Sequence, residues 1–231
     1  MTAERVKPLF FCPHGSRASL VHGTASLVKT ILRLFFRLLY HQFAFTYDLV
    51  AASVSFNRWK DWVMSVVPFI EGDRILEIGH GPGHLQRILL SRQLVPVAID
   101  ESRQMGYLAK RNTGGLAHLT RGLAQYLPFP NQAFETIVST FPAAYINDPL
   151  TLAEVRRCLV NGGRFIILPV AWPKNPFLDW LFRGTGESPP EAVELVKSKF
   201  KEPLVQAGFK TEVHMLDVKS SLLLIVIAKK N

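Results

Sequence analysis

The chain has 231 residues, of which 48% are hydrophobic and 19% charged, and its net charge is +9. This balance excludes a disordered chain and fits one globular domain with an extension. Two cysteines far apart, Cys12 and Cys158, argue against a disulfide framework, and no second ligand pair near Cys12 suggests a metal site. We see no secretory signal pattern in the opening residues. The expectation is a cytoplasmic protein without a bound metal.

Residues 1–70 are predicted to form an extension, and they hold eight basic but only three acidic residues. Within 25–40, Lys29, Arg33 and Arg37 are spaced by four and line one face of an otherwise apolar helix. These charges interrupt the apolar run too often for a transmembrane span. Two interpretations stay open. The helix packs on the following domain as a lid, or it lies in a membrane interface as a peripheral contact.

A second helical stretch, 47–67, ends before Pro68 and Gly72, and strands then alternate with helices. Short apolar runs typical of buried strands are separated by segments of helical periodicity. The alternation predicts a parallel sheet that is covered by helices on both faces. The predicted strands are 74–78, 94–99, 116–120, 134–140 and 164–170. The predicted helices are 84–92, 102–111, 149–160 and 191–206.

The last two apolar runs, 209–217 and 221–228, are separated by three residues only. A crossover helix does not fit in so short a connection, so the two runs must pair as an antiparallel hairpin. The sequence therefore predicts an α/β fold in which a mostly parallel sheet ends in an antiparallel C-terminal strand.

Three glycines at alternate positions, Gly79, Gly81 and Gly83, connect the first strand to its helix and follow Glu77. Glycine permits positive φ and lets a ligand approach the backbone without a Cβ in the way. The N-terminus of the following helix suits a carboxylate or a phosphate. A dinucleotide fingerprint requires a glycine where His84 stands, so this loop does not fit that class.

An acid followed by three alternating glycines resembles motif I of the class I S-adenosylmethionine-dependent methyltransferases. Residues 100–105 resemble the D-x-S-x-x-M run of the methyltransferase type 11 branch, which includes ubiquinone and menaquinone methyltransferases. Residues 122–130 resemble the G-D-A-x-x-L-P-F motif of that branch, with Leu123 in place of the aspartate. Residues 156–164 resemble its R-x-L-K-P-G-G-R turn. The resemblance covers about residues 70–170.

The resemblance implies the class I methyltransferase fold, a Rossmann-like open sheet, over residues 71–231, and it implies S-adenosylmethionine as the cofactor. Glu77 would face the ammonium group of the cofactor, and Met105 would pack on its adenine. Asp100, at the end of the second strand, would accept hydrogen bonds from both ribose hydroxyls. The implied cofactor-binding set is Glu77, Gly79, His80, Gly81, Gly83, Asp100, Glu101, Met105, Leu123, Ala124, Thr140 and, as a lid contact, Tyr47.

The implied activity is methylation of a small, apolar or lipid-like acceptor. Methylation of oxygen or carbon is favoured, because the (D/N)-P-P-(Y/F) signature of N-methylation does not follow the strand 134–140. His80 and Tyr145 are the catalytic candidates, although His80 can equally serve to shape the loop. The aromatic residues within 171–182 either line an acceptor pocket or complete the core against the helix 25–40.

The alternative function is a non-catalytic, degenerate S-adenosylmethionine-binding domain that acts as a membrane-associated adaptor. Leu123 favours this alternative, because the side-chain bond to the adenine amino group is lost, whereas Glu77 and Asp100 favour an enzyme. A nucleic acid partner is disfavoured, because the basic residues of the extension lie among aliphatic side chains rather than exposed aromatic ones.

Overall fold

The structure is a computed structural model, and it describes residues 58–173, 189–219 and 221–231. The chain divides into two units, Met1–Gln42 and Phe43–Asn231, and all described residues belong to the second. The predicted helix 25–40, the lid residue Tyr47 and the aromatic side chains of 172–182 lie outside what is described. The boundary predicted between residues 70 and 71 stays a prediction.

In the described residues, seven strands and five α-helices follow one another in the order that the sequence predicts. The helices are α1 Trp59–Met64, α2 His84–Leu90, α3 Arg103–Asn112, α4 Pro149–Cys158 and α5 Pro189–Gln206. The strands are β1 Ile75–Ile78, β2 Val97–Asp100, β3 His118–Arg121, β4 Phe134–Thr140, β5 Leu159–Pro173, β6 Phe209–Asp217 and β7 Ser221–Lys230. Two 3₁₀ turns, Val67–Phe69 and Ala144–Asn147, complete the set. None of the helices in these ranges is long and apolar enough to cross a membrane.

The seven strands form one sheet in the order β3-β2-β1-β4-β5-β7-β6. Strands β1 to β5 pair in parallel, and β7 pairs antiparallel with both β5 and β6. The parallel sheet and the C-terminal hairpin are thus confirmed. The strand order reverses between β1 and β4, and ligands of open α/β sheets bind at such a switch point, beyond the carboxyl ends of the strands.

Apolar side chains cover both faces of the sheet, as expected when helices pack on each side. Leu76, Ile78 and Phe165 lie in the core cluster that also contains residues of α4 and α5. Ile75 and Val138 lie in the other cluster, with residues of α1 and α2. Neighbouring residues of β1 therefore face opposite sides of the sheet. The loop 79–83 follows at the carboxyl end of this strand.

Several predicted boundaries differ from the structure by a few residues, among them the starts of β2 and β5. β2 begins at Val97 rather than 94, because Gln93 has a positive φ of 63° and the N–H of Leu94 still bonds to the carbonyl of Leu89. The fifth strand begins at Leu159 rather than 164, directly after α4. Leu159 pairs with Phe134, and the register of this pairing shifts before Thr136.

Candidate functional site

Hydrogen bonds within the backbone hold residues 79–83, the glycine loop, at the carboxyl end of β1. The N–H of Gly79 donates to the carbonyl of Ile99 in β2 at 2.8 Å, and the N–H of Gly83 donates to the carbonyl of His80 at 2.9 Å. His80 Nδ1 donates to the carbonyl of Gly81 at 2.6 Å. His80 is 4% exposed. The structure therefore gives His80 a role in shaping the loop.

The three glycines of the loop all have positive φ but meet different surroundings. The hydroxyl of Tyr145 occupies the space that a side chain at Gly79 would need. A Cβ at Gly83 would lie 3.1 Å from the backbone of Ala109 in α3. At Gly81 no atom lies within 4 Å of such a Cβ. The motif gives the three glycines the same expected role. Of the three, only Gly81 borders free space that a ligand can enter.

Asp100 connects the glycine loop to the end of β2. Its Oδ2 accepts the N–H of Gly81 at 2.9 Å, and its Oδ1 accepts the N–H of Ser102 at 2.8 Å. Each carboxylate oxygen can accept a further hydrogen bond. The carboxylate is thus fixed beside the open position at Gly81 and keeps acceptor capacity for two hydroxyl groups, which is what the predicted ribose contact requires.

Glu77 is 1% exposed, and its Oε2 accepts a bond from Gln86 Nε2 at 2.6 Å. Burial raises the pKa of Glu77 to about 8, and the nearby charge of Asp100 adds to the rise, while the bond from Gln86 opposes it. Near neutral pH the carboxyl therefore binds a proton, and an ammonium group that approached it would favour the ionised form. Gln86 is fully buried, and its Oε1 has no hydrogen-bond partner among the described residues.

Gln86 is a site residue that sequence reasoning missed. A polar residue on the buried face of a helix, nine positions after an acid at a strand end, is the signal that could have found it. Its amide holds the carboxyl of Glu77 in place. Because Gln86 Oε1 is buried without a partner in the part of the chain that the structure describes, a hydrogen-bond donor of a ligand beside Glu77 would satisfy it.

The two catalytic candidates lie on different parts of the site. Burial lowers the pKa of His80 below its usual range, against the opposing charge of Asp100, so the imidazole is neutral near pH 7. Burial raises the pKa of Tyr145, which follows β4 and lies against Gly79. A phenol with a raised pKa keeps its proton and acts as a donor. Of the two, only His80 has the ionisation that a base requires.

The predicted adenine contacts lie along the edge next to β2. Met105 and Ala124 are buried, whereas Leu123 is 46% exposed. The N–H of Gly122 donates to the carbonyl of Asp100 at 3.1 Å, which places the segment of Leu123 beside the end of β2. The remaining members of the predicted set, Glu101 and Thr140, lie at the ends of β2 and β4.

Trp59, Trp62 and Phe141 form an aromatic cluster that sequence reasoning did not assign to the site. The rings of Trp59 and Phe141 have centroids 4.3 Å apart and are tilted by 33°. Trp62 lies 6.1 Å from Phe141, and Trp59 lies 6.4 Å from His84, which begins α2. The cluster therefore joins α1, the start of α2 and the turn after β4, next to the glycine loop.

Comparison with known proteins agrees with this geometry. Residues 76–167 match the family described as a methyltransferase domain, and they contain the glycine loop, Asp100 and the turn after β4. Residues 76–167 therefore contain a methyltransferase domain. In this domain the buried acid of β1, the acid of β2 and the open position at Gly81 fit S-adenosylmethionine.

The curated relatives of the methyltransferase domain include enzymes of quinone biosynthesis. A demethylmenaquinone methyltransferase of Symbiobacterium thermophilum is 30% identical over 159 residues, which are 63% of this chain and 63% of the relative. A ubiquinone/menaquinone biosynthesis C-methyltransferase of Teredinibacter turnerae is 28% identical over 158 residues, 61% of each chain. The chain thus spans about three fifths of the length of these relatives.

Solved structures show the same fold. A methyltransferase of Thermotoga maritima described as a possible histamine N-methyltransferase is 17% identical, with a TM-score of 0.59, over 84% of this chain and 100% of the other. A methyltransferase of Methanococcus maripaludis is 20% identical, with a TM-score of 0.55, over 81% of this chain and 92% of the other. At such identities the likeness supports the fold alone.

Proposed function

We propose that the chain is an S-adenosylmethionine-dependent C-methyltransferase that acts on a small, apolar, quinol-like ring. The observation that carries the cofactor part is the carboxylate of Asp100, which the N–H groups of Gly81 and Ser102 hold beside an open loop position. The names of the relatives support an acceptor of the quinone class and methylation of carbon rather than oxygen.

Each residue of the site has a chemical task in this proposal. S-adenosylmethionine supplies an electrophilic methyl group on a sulfonium, so the protein mainly has to hold a nucleophile in line and exclude water. Asp100 accepts from the ribose hydroxyls, and Glu77 receives the ammonium group. The hydroxyl of Tyr145, whose raised pKa keeps it protonated, lies against Gly79 and is available as a hydrogen-bond donor to a ligand there.

His80 is the group that we assign to proton removal. Its Nδ1 donates to the carbonyl of Gly81, so the lone pair of the neutral ring lies on Nε2. Burial lowers the pKa of His80 and keeps the ring neutral at pH 7, where it can accept a proton. A quinol whose hydroxyl gives its proton to His80 places more electron density on the neighbouring ring carbon, which is the nucleophile in this proposal. That carbon would take the methyl group as the sulfonium S–C bond breaks and S-adenosylhomocysteine leaves. The ring carbon would then lose its hydrogen as a proton, which restores the aromatic ring.

A ligand and activity assay tests this function. Thermal shift compares S-adenosylmethionine with NAD, and mass spectrometry follows the gain of one methyl group by 1,4-naphthoquinol. We expect stabilisation by S-adenosylmethionine alone and methylation of the naphthoquinol ring. Asp100→Ala serves as the control that loses cofactor binding. Stabilisation by NAD alone, or by neither ligand, would refute the cofactor part, and an unmethylated naphthoquinol would refute the acceptor class.

Leu123 favours a second candidate, a domain that binds S-adenosylmethionine without catalysis. The side chain at this position is apolar and 46% exposed, so it offers no acceptor to an adenine amino group. In this case S-adenosylmethionine stabilises the protein, but no methyl group reaches any quinol or phenol of a small panel. The same two measurements therefore separate the candidates.

We further propose peripheral membrane contact through the basic, apolar segment 25–40, which fits a lipid-like acceptor. Sedimentation with vesicles that contain phosphatidylglycerol tests it, with the triple variant Lys29→Glu, Arg33→Glu and Arg37→Glu as the control. We expect the wild type to sediment with the vesicles and the triple variant to stay in the supernatant. Equal behaviour of the two proteins would contradict this contact.

A further inference from the structure

The aromatic cluster lies where an acceptor would meet the cofactor. Phe141 directly follows β4, and His84 directly follows the glycine loop that begins at the end of β1. β1 and β4 are the neighbours between which the strand order reverses. Trp59 contacts the rings of both Phe141 and His84, so it extends along the opening between the two strand ends.

Phe141 has an unusual backbone for a bulky residue. Its φ is 51°, and its N–H donates to the carbonyl of Leu168 in β5 at 2.7 Å. The other non-glycine residues with positive φ in the described part of the chain are all polar: Gln93, Gln132 and Lys219. Strained conformations of this kind persist where the surroundings impose them and are concentrated at functional sites. Here the backbone directs an aromatic ring onto Trp59.

Exposure distinguishes the members of the cluster. Trp62 is 4% exposed and belongs to the core beneath α1. Trp59 and Phe141 are only half-buried, and they pack against the edge of that core. Two aromatic rings that are in tilted contact and keep accessible area beside the glycine loop offer an apolar aromatic surface to a planar ligand.

We propose that Trp59 and Phe141 form a stacking platform for the planar ring of the methyl acceptor, with Trp59 as the residue that determines specificity. This inference rests on the proposed function and adds the residues that select a flat aromatic ring over a flexible apolar chain. Aromatic pairs prefer offset-stacked or edge-to-face arrangements with ring centroids about 4.5–7 Å apart, and an acceptor ring would take one of these arrangements on Trp59. The platform contributes to acceptor binding and leaves the bonds to the cofactor untouched.

The test compares Trp59→Leu, Trp59→Phe and the matched control Trp62→Phe on the same helix. For each protein, KM and kcat are measured with 1,4-naphthoquinol, and calorimetry gives the Kd of S-adenosylmethionine. We expect Trp59→Leu to raise KM by about fivefold to tenfold, since it removes one stacked ring. Trp59→Phe should restore most of the affinity. Trp62→Phe should lower the melting temperature and leave KM unchanged.

An unchanged KM in Trp59→Leu would overturn the platform, as would an equal rise of KM in Trp62→Phe. If the wild type does not methylate naphthoquinol, the proposed acceptor class fails separately. Equilibrium dialysis of naphthoquinol against the wild type and Trp59→Leu, both with S-adenosylhomocysteine, then tests the platform. Stronger retention by the wild type supports it, and equal retention overturns it. Should Trp59→Leu not fold, Phe141→Leu replaces it in both assays.

Discussion

The glycine loop and the aromatic cluster lie side by side but are built in different ways. The glycine loop is one short stretch of chain whose geometry is fixed by backbone hydrogen bonds and by Asp100. The aromatic cluster combines α1 with the turn after β4, which are far apart in the sequence, and side-chain packing holds it together. A site like the glycine loop can be predicted from a sequence motif. A site like the aromatic cluster can be identified only once the fold is known.

This difference predicts that the two regions bind different ligands. Changes in and around the glycine loop should alter the affinity for S-adenosylmethionine and leave acceptor KM unchanged, and changes at Trp59 should do the opposite. The four predictions below concern the cofactor side of the site, in order of decreasing effect. Three of them predict a change in cofactor affinity, and each of these would weaken the comparison if acceptor KM changed instead.

Gly81→Val should have the largest effect. The substitution places a branched side chain at a φ of 50° and in the open space of the loop, so we expect cofactor affinity to fall by about a hundredfold or more. Gly114→Val is the matched control, since Gly114 also has a positive φ and open surroundings. Calorimetry should show normal cofactor binding by Gly114→Val. If both variants lost cofactor affinity equally, backbone strain alone would explain the effect of Gly81→Val.

Glu77→Gln should change how stability depends on pH. The pKa of Glu77 is about 8 in the folded protein and near 4.5 when unfolded, so the folded state binds the proton more tightly. Unfolding free energy of the wild type therefore falls as pH rises from 4.5 to about 8, by an amount on the order of a few kcal/mol. The variant lacks this titration.

Urea unfolding at pH 5 and pH 8.5 measures the effect of Glu77. Relative to wild type, Glu77→Gln should gain stability at the higher pH. Glu154→Gln is the control, because the bond from Arg157 lowers the pKa of Glu154 and its contribution to stability is lost only as pH falls below 4.5; its difference from wild type should be the same at pH 5 and pH 8.5. A constant difference between Glu77→Gln and wild type would show that Glu77 ionises normally.

Asp100→Ala should weaken cofactor binding by roughly 1.5–3 kcal/mol, the range for hydrogen bonds to a charged group. The loss includes the bond that holds the N–H of Gly81. Asp73→Ala removes the same charge from the opposite end of the sheet, before β1, and should leave the Kd unchanged. An identical Kd for Asp100→Ala and wild type would remove the ribose role of Asp100.

Leu123→Asp should have the smallest effect, a gain of about 0.5–1.5 kcal/mol in cofactor affinity from one added hydrogen bond. Leu116→Asp adds the same charge at another exposed leucine and is the control. A lower Kd in Leu123→Asp alone would place Leu123 beside the adenine. If neither variant gains affinity, the segment 122–130 does not contact the adenine.

Local motifs predicted the fold correctly, whereas the roles of the site residues stay predictions. The strand and helix order, the parallel sheet and the C-terminal hairpin are confirmed, because periodicity and connection length are properties of neighbouring residues. The pairing of the glycine loop with Asp100 also follows from one strand-helix-strand unit. The sequence did not show that Gly79 and Gly81 differ in their surroundings: Gly79 lies against the hydroxyl of Tyr145, and Gly81 borders free space.

The amino-acid sequence by itself thus determined the α/β architecture and the contact between the glycine loop and Asp100, since both depend on short-range patterns. Only the tertiary structure decided where β7 is inserted in the sheet, how Gln86 holds Glu77, and that Trp59 meets Phe141. The physical reason is that burial and ring contacts depend on which distant segments pack together, and burial is also what raises the pKa of Glu77.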